Sequence, residues 1–186
     1  MQDVSSNILS AARDGDHGAF RVIVHTYSPR LHSVIRRLIR DVDTERDMLQ
    51  EVFTKAYLQL PGFRGDSSLG TWLHRIAYTT CLNHLRSVQR APRHEELNED
   101  EFVTVSPTLF DDLDGDLIRQ VLREELENLS PLYAVVIDLF YVQECTYDDI
   151  ARITGLPLGT VKARLNRGRT ALRDAVMKRL GGYDKY

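Results

Sequence analysis

The chain has 186 residues, 24 Lys and Arg against 27 Asp and Glu, a net charge of −3, and 42% hydrophobic residues. That fits one soluble domain or two small ones, and the mild negative charge limits indiscriminate binding to polyanions, whose strength follows the number of phosphates neutralised. No apolar run approaches a bilayer span, the opening Met-Gln-Asp-Val-Ser-Ser lacks a signal-peptide pattern, and Cys81 and Cys145 alone make no disulfide framework, so a cytoplasmic location is expected.

The apolar pattern is helical nearly throughout, with no convincing alternating strand, and predicts an all-α fold. Residues 8–15 form a short amphipathic segment and 19–39 a longer one. The clearest helix is 43–60, where Met48, Leu49, Val52, Phe53, Ala56, Tyr57 and Leu60 recur at intervals of one, three and four. Asp47, Gln50, Glu51 and Lys55 lie off that stripe. Pro61-Gly62 breaks the helix, and 63–68, Phe-Arg-Gly-Asp-Ser-Ser, reads as a loop. A further helix over 69–89 places Leu69, Trp72, Leu73, Ile76, Ala77, Thr80, Cys81, His84, Leu85 and Val88 inward. Arg75, Arg86 and Arg90 are its cations, and Trp72 and Tyr78 their aromatic neighbours.

From 91 to 115 the periodicity fails. The stretch holds Pro92, Pro107 and a run of acids with few aliphatics, too little apolar surface to offset the cost of ordering, so it is expected to be a flexible acidic linker. Helical pattern resumes over 116–128. Ser130-Pro131 opens the next helix, with Val135, Val136, Leu139 and Phe140 inside.

Residues 146–173 carry the most information. Thr146 and Asp149 have the spacing of a capping box. Gly155 stands where a tight turn between helices needs positive φ, and Pro157 suits the opening of a new helix. Val161, Leu165 and Leu172 then make a buried stripe that leaves Lys162, Arg164, Arg167 and Arg169 largely toward solvent. This is the pattern of a helix-turn-helix whose second helix is cationic and fits a DNA major groove.

Four segments in chain order then resemble one family. They are Ala12-Arg13-Asp14-Gly15-Asp16 with Ala19-Phe20, then Asp47 to Tyr57, then Phe63-Arg64-Gly65 with Thr71-Trp72-Leu73-His74-Arg75-Ile76-Ala77, and last Gly159-Thr160-Val161-Lys162 with Arg164-Leu165. Together they resemble the bacterial RNA polymerase sigma factors of the extracytoplasmic-function (ECF) group, which have only sigma regions 2 and 4. The resemblance implies two small helical domains, region 2 over 1–90 and region 4 over 116–186, joined by the linker 91–115. It implies a promoter-specificity subunit that is not an enzyme and takes no cofactor or metal. Its partners would be core RNA polymerase (the β′ clamp helices and the β flap), promoter DNA and an anti-sigma factor, with no membrane insertion.

The resemblance also implies roles for residues. Asp47, Gln50, Glu51 and Phe53 would bind core polymerase. Phe63, Arg64, Gly65, Asp66, Ser67, Trp72, Arg75 and Arg86 would contact −10 DNA, with the loop 62–68 receiving a flipped base. Thr160, Lys162, Ala163, Arg164, Asn166 and Arg167 would contact −35 DNA. The chain departs from the family pattern at Thr79 and Asn83, where Asn and Asp are usual, at Ala163 for a usual Ser, and at Gly168 for a usual Ala. The last change weakens a helix by up to about 1 kcal/mol.

Two other readings stay open on sequence grounds: an independent helix-turn-helix repressor or activator, and a module that only sequesters a partner. A zinc site from Cys81, His84, His74 and His94 lacks closed ligand spacing. No phosphate-binding glycine loop or nucleophile elbow is present.

Overall fold

The computed structural model describes residues 4–88 and 116–180. The stretch expected as a flexible linker, 91–115, and His94 within it lie outside the described residues. The described residues form eight α-helices and no strand: α1 (Ser6–Arg13), α2 (His17–Leu38), α3 (Val42–Gln59), α4 (Leu69–Val88), α5 (Asp116–Asn128), α6 (Pro131–Ile137), α7 (Tyr147–Thr154) and α8 (Leu158–Leu180). A 3-10 turn over Leu60–Gly62 ends α3, and a π-helical turn over Asp138–Val142 continues α6. None of these helices is long and apolar enough to cross a membrane.

Short polar side chains fix where the helices begin. Asp16 caps α2 by accepting the N–H groups of Gly18 and Ala19 at 2.6 and 3.1 Å, and Asp41 caps α3 by accepting that of Thr44 at 2.8 Å. Helices α1 to α4 then close the first domain. Its core joins Ile23, Tyr27, Leu31 and Ile35 of α2 to Met48, Val52 and Ala56 of α3 and to Leu73, Ala77 and Cys81 of α4. Helices α5 to α8 close the second around Val135, Val136, Leu139, Ile150, Ile153, Val161, Leu165 and Leu172. The fold is thus all-α in two small helical domains, as the sequence pattern predicts.

The domains meet along a polar seam. Helix α2 lies against α6 and the π-helical turn, and α4 lies against α7. Asp138, with no exposed surface, accepts the Ser33 hydroxyl at 2.7 Å and Arg37 Nε at 3.3 Å, both across the seam, and Gln143 Nε2 at 3.1 Å from its own domain. The Thr71 hydroxyl donates to Asp149 at 3.2 Å, and Arg36 pairs with Glu127 at 2.8 Å. Beside this pair, Arg36, Arg37 and Arg40 line a cavity of 260 Å³.

The seam explains what periodicity missed in α4. Leu69, Leu73, Ile76, Ala77, Thr80 and Cys81 are buried as expected, but Val88 is exposed and Trp72, His84 and Leu85 are only half-buried. Gly70, Thr71, His74 and Tyr78 are buried too. They form a second covered face, and its cover comes from the other domain.

Candidate polymerase and nucleic-acid interfaces

On α3, Asp47, Gln50 and Glu51 are exposed along the side away from the core. Lys55 Nζ reaches Glu51 at 2.6 Å and the Thr80 hydroxyl at 3.2 Å, tying this surface to α4. Phe53 is a correction: only 9% exposed, it packs inside the domain and cannot supply an apolar contact to a partner. Of the two exposed apolar residues of α3, Val42 at 66% and Leu58 at 72%, Leu58 is the one on this side. It falls four residues beyond Thr54, seven beyond Glu51 and eleven beyond Asp47, hence on the same helical stripe. Its sequence signal was a leucine lying off the buried pattern.

The loop between α3 and α4 turns at Gly65, whose φ of +81° favours glycine. Arg64, Gly65 and Asp66 are exposed, and Ser67 is half-buried. Phe63 is a second correction. It is 7% exposed, and its ring lies 5.1 Å from that of Trp72 at a tilt of 45°. The aromatic pair is therefore the floor of the loop, with Phe63 unavailable to a base and half-buried Trp72 partly accessible. Ser68 Oγ accepts the Thr71 N–H at 3.0 Å where α4 begins. Arg75 and Arg86 project from α4 into solvent.

The helix-turn-helix has the expected local chemistry. Thr146 Oγ1 accepts the Asp149 N–H at 3.1 Å, while Asp149 Oδ2 accepts the Thr146 N–H at 3.3 Å, completing the capping box. Gly155 ends α7 at φ 72°, and the Pro157 carbonyl accepts the first bond of α8, from the Val161 N–H at 3.0 Å. Lys162 is exposed, and Thr160, Ala163, Asn166 and Arg167 are partly so.

Arg164 and Arg169 are the third correction. They are 9% and 7% exposed, not turned to solvent. The Arg164 guanidinium donates to the Tyr78 hydroxyl of α4, across the seam, and Arg169 lies beside Tyr141. Burial raises the Tyr78 phenol above its ordinary range, and the positive charge of Arg164 opposes that rise.

Behind these surfaces lies a buried cluster that spacing could not reveal. His74 has no exposed surface and donates from Nδ1 to the Gly70 carbonyl at 2.8 Å, leaving Nε2 without a partner. Burial lowers its imidazole to about 4, with nearby Asp138 favouring and Arg30 opposing the charged form. Cys145 lies in the same field, and burial pushes its thiol up to about 12. Cys81, in the first core, is likewise pushed up to about 12. Neither thiol is a ready nucleophile.

This layout is an exposed acidic stripe, a glycine-turned loop on an aromatic floor and a capped helix-turn-helix. The sequence that folds into it matches two family descriptions: Sigma-70 region 2 over residues 23–91 and Sigma-70 region 4 over residues 119–172. The chain is 32% identical to the RNA polymerase sigma-H factor of Pseudomonas aeruginosa over 185 residues, covering 94% of this chain and 95% of that one. The chain belongs to the RNA polymerase sigma factors of the sigma-70 family. It is 30% identical to the ECF sigma-E factor of Escherichia coli K12, over 91% of this chain and 92% of that protein.

Among solved structures, the sigma factor RpoE of Bartonella quintana in complex with the anti-sigma factor NepR aligns with a TM-score of 0.64 at 24% identity. The alignment covers 84% of this chain and 96% of that one. CnrH in complex with the cytosolic domain of CnrY aligns at 0.62 with 20% identity, covering 90% and 93%. Both share the fold. As a sigma factor the chain directs promoter-specific initiation of transcription and is not itself an enzyme. Region 2 takes in most of α2 with α3 and α4, and region 4 runs from α5 into α8.

Proposed function

We propose that this sigma factor divides its work among three surfaces, with region 2 occupying 1–90, a tether 91–115 and region 4 occupying 116–186. Asp47, Gln50 and Glu51 dock on the β′ clamp helices of core polymerase. Leu58 adds the apolar contact that Phe53 cannot, giving a charged rim around a small apolar centre. Region 4 sits on the β flap. The loop 62–68 takes a base flipped from the −10 element, with Arg64, Asp66 and Ser67 at its edge and Trp72 available to stack. Arg75 and Arg86 hold the opened strand. Such stacking contributes about 1–3 kcal/mol per base, comparable to the cost of unstacking, so melting is differential binding of single strand over duplex.

On α8, Lys162, Ala163, Asn166 and Arg167 face the bases of the −35 element, and Thr160 contacts phosphate. Arg164 joins it only after leaving Tyr78, so the closed seam and the DNA-bound state compete for that guanidinium. An anti-sigma factor holds the chain inactive, a reading supported by the two solved complexes of similar fold. The protein acts in the cytoplasm, beside the polymerase.

The observation that carries this reading is the capped helix-turn-helix with Lys162 exposed and Asn166 and Arg167 partly so. Its test is transcription by core enzyme with and without the chain. Arg167→Ala should cost about 1–3 kcal/mol of discrimination at one −35 position and leave core binding unchanged. Equal loss of promoter reading and core binding would make Arg167 a structural residue and sink its assignment.

A further inference from the structure

Lys162 is not alone on the outer surface of region 4. Its Nζ lies 5.8 Å from the centroid of the Tyr147 ring. That ring stacks on Phe140, centroids 5.1 Å apart and planes within 17°. Phe140 is itself held edge-on by Tyr141 at 5.0 Å and 82°. The pile thus runs from the π-helical turn, through the first residue of α7, to the second turn of α8. Tyr147 is 37% exposed and Phe140 half-buried, so the outer ring is available while its support is fixed. The capping box that opens α7 is made by Thr146 and Asp149 and does not use the Tyr147 ring.

A lysine on a helix surface has four rotatable side-chain bonds and an ammonium that serves any nearby phosphate as readily as one base edge. A ring face attracts the ammonium through its quadrupole and restricts where it rests. We propose that Tyr147 is a positioning residue for promoter reading: the Phe140–Tyr147 pile holds the Lys162 ammonium at the N-terminal end of α8, so that it reads one −35 base position instead of wandering among phosphates. This rests on the assignment of α8 to the −35 element. It adds a residue from outside α8 to the specificity machinery and assigns the work to the ring, not to the hydroxyl.

The test uses holoenzyme and a pool of duplex promoters randomised across the −35 element, with bound molecules sequenced. Lys162→Met should flatten the preference at one position. Tyr147→Leu should reduce the preference at that same position by about two- to five-fold, the range of an exposed cation–π contact. Combined with Lys162→Met it should add nothing. Tyr147→Phe, which restores the ring without the hydroxyl, should restore the preference. If Tyr147→Leu fails to fold, Phe140→Leu removes the ring from behind and asks the same question.

Preference that survives Tyr147→Leu while Lys162→Met abolishes it overturns the inference and leaves the reading by α8 standing. Failure of Tyr147→Phe to restore it, or an effect of Tyr147→Leu at a different position, also overturns it, because the residue then acts through its hydroxyl or on its own. A recovered motif unchanged by Lys162→Met removes the base-reading role of Lys162, and the inference with it.

Discussion

Replacing Asp138 with alanine should loosen the two domains from each other. Asp138 is wholly buried at the seam, where it receives Ser33 Oγ at 2.7 Å and Arg37 Nε at 3.3 Å from α2. Each hydrogen bond to a charged group contributes about 1.5–3 kcal/mol. With the carboxylate gone, the Arg37 side chain, 15% exposed, would be a nearly buried cation without its counter-ion, a cost of about 3–5 kcal/mol in a rigid interior. A seam is not rigid in that sense, because it can part and let water reach Arg37. The loss is therefore capped by the free energy that docks the domains. The Arg36–Glu127 pair, with side chains 54% and 49% exposed, adds about 0–1 kcal/mol and cannot compensate.

The population should accordingly shift from closed to open. Spin labels on Leu58→Cys and Met177→Cys, both exposed positions in different domains, would report the distance between them, since the two native thiols are buried. Asp138→Ala should broaden and lengthen that distribution. Asp138 also holds Gln143 within its own domain, so Arg37→Met, which breaks the seam from the other side, should do the same. An unchanged distribution in both folded variants would refute the reasoning, and docking would then rest on the remaining seam contacts, Thr71–Asp149 and Arg164–Tyr78 among them.

Gly168→Ala tests whether a departure from the family pattern is a weakness or a fit. A Cβ there would lie 2.9 Å from Ile137 Cδ1 and 3.1 Å from Tyr133 Cβ, so overpacking of about 1–3 kcal/mol should outweigh a gain of up to about 1 kcal/mol in helix propensity. A rise in the denaturation midpoint would show that α6 yields freely. His74 predicts a pH dependence. Its imidazole stands at about 4 when folded against an ordinary 6.5. Between those values the unfolded chain binds a proton that the folded chain refuses, so stability falls as pH drops from 6.5 to 4 and is flat above 6.5. At 1.36 kcal/mol per unit the whole window is worth about 3 kcal/mol. His74→Leu should lose about 2–3 kcal/mol less than the native chain between pH 7 and pH 4.5 in urea unfolding, and equal losses would show that His74 is protonated without opening the fold.

Local signals were legible and tertiary ones were not. Thr146 with Asp149, Gly155 and Pro157 announce a helix-turn-helix because caps and turns depend on a few neighbouring residues. Leu58 could have been found, since an exposed leucine on an acidic stripe is visible at helical spacing. Arg164 could not. Its position on the polar side of α8 says solvent, and only the placement of α4 opposite it says otherwise. Phe53 and Phe63 were misplaced for a related reason: a motif assigns a role to a segment, while packing decides which of its side chains are free to perform it. The π-helical turn at Asp138 also gave no sequence signal, although it places both the seam carboxylate and Phe140.

Helix α4 joins the two domains. One of its faces closes the first core, and the other, Gly70, Thr71, His74 and Tyr78, is spent on the seam. The residues that start it, Ser68 and Thr71, also anchor the loop 62–68, and Thr71 is bonded to Asp149 of the capping box. The loop assigned to −10 DNA and the helix-turn-helix assigned to −35 DNA are therefore tied through two hydrogen bonds in the closed arrangement. Any promoter contact that needs Arg164 must first give up Tyr78. Apparent promoter affinity then equals intrinsic affinity multiplied by the open fraction. A seam held by 1.4 kcal/mol more than the open state would weaken binding about ten-fold. Substitutions such as Asp138→Ala should consequently strengthen promoter binding even though they touch no DNA, whereas Arg164→Ala removes one contact from each state and should change affinity less than either loss alone.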